Sequence, residues 1–269
     1  MKTGLLRGRD HTRLGAVAAL AEGRAAVALS RGGAAKTYDH ADPNEDACAF
    51  ALGDRGWLVA VADGHWGCGG AERVLERIFE RHAPRWTSPM AIALAERWVA
   101  EAPEVVLDLN RALVAAESGG GSVGRTTLSL CLARPDDGWW AGLCVGDSHL
   151  FRVDADGVRE PWAAPASDVR FLGDPRLDRA RAEAGLRAGV ERGAMRGAIV
   201  LATDGLSETG IGVADAAAAV AASVVAVRRD STELRPLAIA RGLALRALEA
   251  QRRQRSGDNV ATACLWLEG

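Results

Sequence analysis

Two short apolar runs, Ala47–Leu52 and Trp57–Ala62, face each other across Gly53-Asp54-Arg55-Gly56. A four-residue turn of this composition between such runs predicts a β-hairpin. Downstream the period changes. Over residues 71–82, Val74, Leu75, Ile78 and Phe79 line one face and Glu and Arg fill the other, which predicts an amphipathic helix. A second helical region covers residues 89–118. Pro103 is expected to break it, with Val105, Val106, Leu109 and Leu113 sharing a face afterwards. Residues 126–133, 139–145 and 149–153 read as three consecutive strands, separated by turns at 135–138 and 146–148. Residues 177–188 predict a short helix, Ala198–Ala202 a strand, 214–227 and 232–251 two helices, and 259–267 a closing strand. Residues 1–25 are weakly patterned and fit an early hairpin or an arm.

Hairpin connections dominate this order, so the sheets should be largely antiparallel. Two sheets with helices outside would bury every apolar face, in one α+β domain over residues 1–269. Composition supports a folded chain, with 48% hydrophobic and 25% charged residues. A net charge of -2 offers no broad basic field, which argues against nucleic acid. Arginine supplies nearly all the positive charge, for the lysines are Lys2 and Lys36 alone. The longest apolar stretch, 216–227, is shorter than the roughly 18 residues a membrane span needs, and residues 1–11 hold no apolar signal core. The expectation is a cytoplasmic monomer without membrane contact. The cysteines, at 48, 68, 131, 144 and 264, are odd in number and form no CxxC pair, so reduced cysteines are expected rather than a disulfide framework or a zinc site. Residues 118–124, rich in glycine, are expected to be a flexible loop.

The chemistry lies where aspartates meet strand ends. Asp46 precedes one strand of the hairpin and Asp63 follows the other, so both belong at its open end. Asp204 follows the strand Ala198–Ala202 and Asp258 precedes the last strand. If those two run antiparallel, these carboxylates share an edge. Asp147 sits in a tight turn after another strand. Converging carboxylates raise one another's pKa unless a cation neutralises them. Oxygen ligands without a Cys or His cluster suit hard ions such as Mg²⁺ or Mn²⁺.

These positions fall in motifs: Asn44-Glu45-Asp46-Ala47, Val61-Ala62-Asp63-Gly64-His65, Gly124-Arg125-Thr126-Thr127, Val145-Gly146-Asp147-Ser148, Ala202-Thr203-Asp204-Gly205-Leu206 and Gly257-Asp258-Asn259. In this order the chain resembles the metal-dependent serine/threonine protein phosphatases of the protein phosphatase 2C type, in a bacterial-like form. The resemblance implies a four-layer α-β-β-α sandwich of two antiparallel sheets flanked by helix pairs. It implies two Mn²⁺ or Mg²⁺ ions at one rim, with Asp63 bridging, the Gly64 carbonyl on one ion, and Asp204 and Asp258 on the other. Asp46 and Glu45 would act mainly through metal-held water, and Asp147 with Asp204 would form a weaker third site. It further implies hydrolysis of phosphoserine and phosphothreonine on proteins by a metal-activated water, with His65 as general acid. The protein partners would be substrates of a serine/threonine kinase.

The sequence departs from that pattern where relatives carry a phosphate-gripping arginine, four residues before Glu45; here the residue is Ala41. Lys36 and His40 are the candidates to supply the charge instead. Trp66 stands where relatives have a small residue and is a candidate wall of the substrate groove or a packing residue. Arg125 reads as an exposed loop arginine. His11, His82 and His149 read as structural or exposed. The stretch from 159 to 197, where relatives place a flap, is short, which would leave the site open. Two further functions fit these residues: a catalytically weak binding module, and a phosphatase of small phosphorylated molecules.

Overall fold

The computed structural model describes residues 1–91, 93–118, 124–162, 169–193 and 195–267. The expected flexible loop at 118–124 lies, apart from its two end residues, outside the described residues, as does Pro165 of the expected flap.

Among the described residues, two antiparallel sheets stack face to face. One runs in the order β1 (Lys2–Arg7), β4 (Ala47–Leu52), β5 (Trp57–Ala62), β8 (Leu128–Arg134), β9 (Trp139–Val145) and β12 (Leu186–Arg192). The other runs β11 (Gly157–Arg159), β10 (His149–Asp154), β13 (Ala198–Ala202), β14 (Val260–Trp266), β3 (Ala25–Ser30) and β2 (Ala18–Glu22). Helices α1 (Gly69–Arg77), α2 (Ala83–Trp86) and α3 (Leu94–Ser118) cover the first sheet, with α4 (Arg179–Gly185) beside α3; α5 (Ala216–Ala226) and α6 (Arg235–Gln254) cover the second.

The pleat explains the layering. Along β5, Leu58 and Ala60 point to the helices while Val59 and Val61 enter the space between the sheets. Along β13, Ile199 and Leu201 face between the sheets and Val200 and Ala202 face α5 and α6. Alternate residues therefore feed different cores, and these strands are apolar at every position. The result is the expected four-layer sandwich. All of the cysteines are free and buried.

Four expectations change. First, α3 runs unbroken through Pro103. The missing N–H removes the usual partner of the Val99 carbonyl, and the helix continues with Ala102, Pro103, Val105 and Val106 buried on its packed side. Second, the helix expected over 177–188 ends at Gly185, and Leu186–Arg192 is the edge strand β12. Third, the weakly patterned N-terminus supplies an edge strand to each sheet, β1 against β4 and β2 against β3. β3 itself carries no alternation, since all its residues are buried. Fourth, the strand expected from residue 126 is split. Arg125–Thr126 forms β7, paired with β6 (Gly64–His65), and β8 begins only at Leu128.

Registers carry the aspartates to one rim. Ala47 pairs with Ala62, which puts Asp46 and Asp63 at the same end of their hairpin. β13 and β14 are antiparallel with Ala202 opposite Thr262, so Asp204 and Asp258 leave the second sheet at that end too.

Candidate metal centre

Local sequence holds each carboxylate in place. The backbone of Asp63 is clamped by the threonine pair: Asp63 N–H donates to Thr127 Oγ1 at 3.1 Å, and its carbonyl accepts from Thr126 Oγ1 at 2.9 Å. Thr127 Oγ1 also meets Ser148 Oγ at 2.8 Å, which ties Asp63 to the turn bearing Asp147. Thr203 Oγ1 donates to Asp46 Oδ2 at 2.8 Å, linking the two sheets. Asn259 Oδ1 accepts from Glu45 N–H at 2.8 Å, and its amide reaches the carbonyls of Arg31 and Pro43 at 3.0 Å each. Gly64 is required sterically, because a Cβ there would lie 2.3 Å from the Glu45 carbonyl oxygen.

One carboxylate oxygen from each of Asp63, Asp147 and Asp204 lies within 4.8 Å of the other two. Burial, and then Asp204, Asp46, Asp258 and Asp147, hold the Asp63 carboxyl well above the usual carboxylate range. Asp204 is raised in the same way, by burial and then Asp258, Asp147 and Asp46. Asp46, fully enclosed, is pushed up to about 7 by burial and by Asp258. An all-oxygen donor set whose members raise each other's pKa fits a hard divalent cation such as Mg²⁺ or Mn²⁺. Asp258, Glu45 and Gly64 line the same cavity of about 300 Å³ as Asp63, Asp204 and His65.

Glu45 is placed differently from the cluster. Its Oε1 accepts from the N–H of Gly67 at 2.7 Å, Ala41 at 3.2 Å and Asp42 at 3.3 Å, and its Oε2 accepts from Lys36 Nζ at 3.2 Å. Lys36 Nζ is also 3.6 Å from Asp258 Oδ1, and its side chain is only 5% exposed. Burial alone would lower the Lys36 pKa, but Asp258, Asp46 and Glu45 hold it above its ordinary value. His40, the other candidate cation, is exposed and outside the cavity lining, with Nδ1 3.0 Å from the Tyr38 carbonyl oxygen.

His65 sits on the cavity wall. Its Nδ1 is buried without a hydrogen-bond partner, 3.6 Å from Asp63 Oδ1 and so beyond hydrogen-bond reach. Burial pulls its pKa below the ordinary histidine value, against Asp147, Asp258 and Glu45, which raise it. The ring packs on Phe171, with centroids 4.3 Å apart, and Trp66 lies 5.7 Å away. Trp66 is 59% exposed and lines the cavity, so it is a wall and not a core residue. Its backbone is left-handed at φ 63°, a costly setting for an aromatic residue. Arg125 stacks over the indole at 5.6 Å and is half-buried, not the free loop residue expected.

Sequence reasoning passed over several participants. The Tyr38 hydroxyl donates to Asp258 Oδ1. His149, expected to be structural or exposed, is structural: its Nδ1 meets Glu160 Oε1 at 2.5 Å and its Nε2 meets Ser207 Oγ at 2.6 Å, bracing the segment after β11 and the loop after β13. Phe171 shows that the stretch at 159–197 reaches the site, although α4 and β12 build part of it into the fold. The available signals were that Tyr38 is the chain's single tyrosine and that Ser207 follows the Asp204 motif.

The fold is that of the serine/threonine phosphatases of the 2C type. The serine-threonine phosphatase 2C of Toxoplasma gondii superposes with a TM-score of 0.64 at 15% identity, over 99% of each chain. A bacterial serine phosphatase gives 0.63 at 16% identity, over 92% of this chain and 99% of the other. The catalytic domain of the serine threonine protein phosphatase PstP, in complex with two manganese ions, gives 0.61 at 16% identity, over 94% and 100%. At these identities the likeness establishes the fold alone. No protein-family model matches the chain, and no curated protein matches it by sequence.

Proposed function

We propose that this chain is a metal-dependent phosphoprotein phosphatase that hydrolyses phosphoserine and phosphothreonine esters. The observation that carries the reading is the meeting of Asp63, Asp147 and Asp204 within 4.8 Å, at the rim of a 2C-type fold. Asp63, Asp147 and Asp204, with Asp46 and Asp258 beside them, would hold the ions. When bound, Mn²⁺ or Mg²⁺ supplies the positive charge that a phosphate dianion needs and acidifies water.

The protein's own part is positioning and proton supply. The seryl or threonyl leaving oxygen is a poor leaving group and needs a proton. His65 is the candidate donor. Burial lowers its pKa, whereas an arriving phosphate dianion adds to the negative charge that favours the imidazolium. Trp66 and Phe171 hold the ring from two sides and restrict its rotation. Lys36 lines the same cavity. A serine/threonine kinase is the class of enzyme that would make its substrates.

Hydrolysis of p-nitrophenyl phosphate and of a phosphothreonine peptide, with Mn²⁺, Mg²⁺ or EDTA, tests the proposal. Turnover that requires metal and disappears in Asp204→Asn is expected. Equal, negligible turnover by wild type and Asp204→Asn in every condition would overturn it.

A further inference from the structure

The wall of the cavity carries a strained aromatic residue turned outward. Trp66 is largely exposed with its backbone at φ 63°. Such a conformation persists only where neighbours over-determine it. The N–H of Gly67 donates to Glu45 Oε1 at 2.7 Å, and the N–H of Cys68 donates to Asp42 Oδ2 at 2.9 Å. The turn after His65 is pinned by these bonds, and the indole stands edge-on to Phe171 with centroids 5.9 Å apart. Arg125 is held over the same indole, at 5.6 Å. It pairs across strands with His65, and Gly124 lets the strands meet, since a Cβ there would lie 2.6 Å from the His65 carbonyl oxygen. The Arg125 stem lies against Gly173, where a Cβ would come within 3.2 Å of Arg125 Cγ. Leu172 exchanges backbone hydrogen bonds with Thr126 at 2.8 and 3.2 Å, which fixes that contact. The guanidinium is thus placed by the fold, yet among the described residues no carboxylate or carbonyl accepts from it. A guanidinium stacked on an aromatic face with its donors unspent suits an incoming carboxylate.

We infer that Trp66 and Arg125 form a subsite for the segment of substrate beside the phosphorylated residue, and that it selects an aspartate or glutamate there. The substrate backbone crosses the indole, and Arg125 pairs with the acidic side chain. The reach is right: spacings of 5.7 and 5.6 Å, by way of the Trp66 ring, separate the guanidinium from the His65 ring, no more than two to three extended residues at about 3.4 Å each. Other groups pull the opposite way. Asp39 and Glu208 are exposed and line the same cavity, and by themselves they would favour a basic flank. Arg125 is expected to win because it is fixed by its packing, whereas those acids are open to water, which screens them. This inference rests on the phosphatase proposed above and says which phosphoproteins it would take.

The test is steady-state hydrolysis by the full chain, with Mn²⁺ saturating, of three phosphothreonine peptides. They differ only in carrying aspartate, alanine or arginine on both sides of the phosphothreonine. Each kcat/KM is divided by the same protein's value for p-nitrophenyl phosphate, a substrate without flanks, so that changes at the metal centre cancel. Wild type is expected to use the aspartate peptide about tenfold better than the arginine peptide. Arg125→Gln should reduce that ratio to about twofold or less, and Arg125→Glu should invert it, both through KM. Trp66→Gly, which tolerates the left-handed backbone, should lower the relative kcat/KM of all three peptides by about fivefold. Circular dichroism establishes that each variant is folded, and the wild-type order decides the matter even where a variant is not. Equal use of the three peptides by wild type, or a preference for the arginine peptide, would overturn the inference. So would an aspartate preference that survives intact in both Arg125 variants. Absence of metal-dependent turnover on every substrate, p-nitrophenyl phosphate included, would remove the phosphatase reading and this inference with it, whereas turnover without the preference removes this inference alone.

Discussion

The two ends of the rim use the same residue type in opposite surroundings. At one end Asp63, Asp147 and Asp204 face each other, and among the described residues no lysine or arginine reaches them within ion-pair distance. At the other end Glu45 and Asp258 share a lysine, a tyrosine and several backbone N–H groups. A carboxylate buried with donors is satisfied by the fold. Asp63, buried beside exposed Asp147 and half-buried Asp204, is not, and it stays there only by holding a proton or by binding a cation. The difference separates what the protein needs in order to fold from what it needs in order to act. The satisfied end staples loops that are far apart in sequence, while the unsatisfied end presents carboxylates that the proposed ion would neutralise.

The largest effect is expected at the unsatisfied end, from His65. If it protonates the leaving oxygen, His65→Gln should lower kcat on a phosphoserine peptide by about 10²-fold or more. Hydrolysis of p-nitrophenyl phosphate should fall only a few-fold, because p-nitrophenolate departs without a proton. A parallel loss on both substrates would show that His65 merely shapes the site. Steady-state kinetics on the two substrates, with Mn²⁺ saturating, reads the split.

A smaller effect tests the electrostatic side of the contrast in metal-free protein. The folded-state pKa of Asp46, about 7, lies above the roughly 4 of an unfolded aspartate. Folding thus favours the protonated acid, an advantage fully present below about pH 4 and lost as pH rises toward 7. Asp46→Asn keeps the shape, can still accept from Thr203, and removes the ionisation. In EDTA the variant should melt close to wild type at pH 4.5 and several degrees above it at pH 8, where about 1 kcal/mol corresponds to roughly 2–4 °C. The histidines that burial depresses, His65 and His82, favour stability at higher pH, but they are present in both proteins and leave the difference intact. A gap that stays constant with pH would mean that Asp46 is not held above the usual range. Excess Mn²⁺ should close or reverse the gap at pH 8 by neutralising the wild-type cluster.

How far the sequence foretold this contrast depends on distance along the chain. The β4–β5 hairpin was legible because its turn and both apolar runs lie within sixteen consecutive residues, and its flanking aspartates came with it. The meeting of Asp204 with Asp258 followed from one correct assumption, an antiparallel β13–β14 pair. β12 was hidden although Leu186, Ala188 and Val190 alternate, since the arginine- and alanine-rich lead-in reads as helix and does form α4. The unbroken path through Pro103 was hidden because the local rule for proline points to a break, whereas the packing that holds α3 together, through buried Trp98, Ala102, Val105 and Val106, is not local. At the site, the motifs showed which residues approach a metal but not which of them the fold satisfies by itself. That depends on Lys36 and Tyr38 meeting Asp258 more than two hundred residues away, through a glycine-dependent backbone contact.

The smallest expected effect separates two residues that the sequence treated alike. Lys36 and His40 lie four positions apart, and either offered a positive charge in place of the arginine missing at Ala41. The fold sends them apart. Lys36 turns inward to a cage of carboxylates, while His40 stays exposed with its ring nitrogen on the Tyr38 carbonyl. Water screens whatever charge an exposed side chain carries. His40→Ala should therefore leave kcat/KM on the phosphothreonine peptide, and Mn²⁺ binding, within about twofold of wild type. A tenfold or larger rise in KM for the peptide with kcat unchanged would place His40 on the substrate. It would also mean that the phosphate is gripped from outside the cavity, which would move the recognition of substrate away from the rim where the two ends meet.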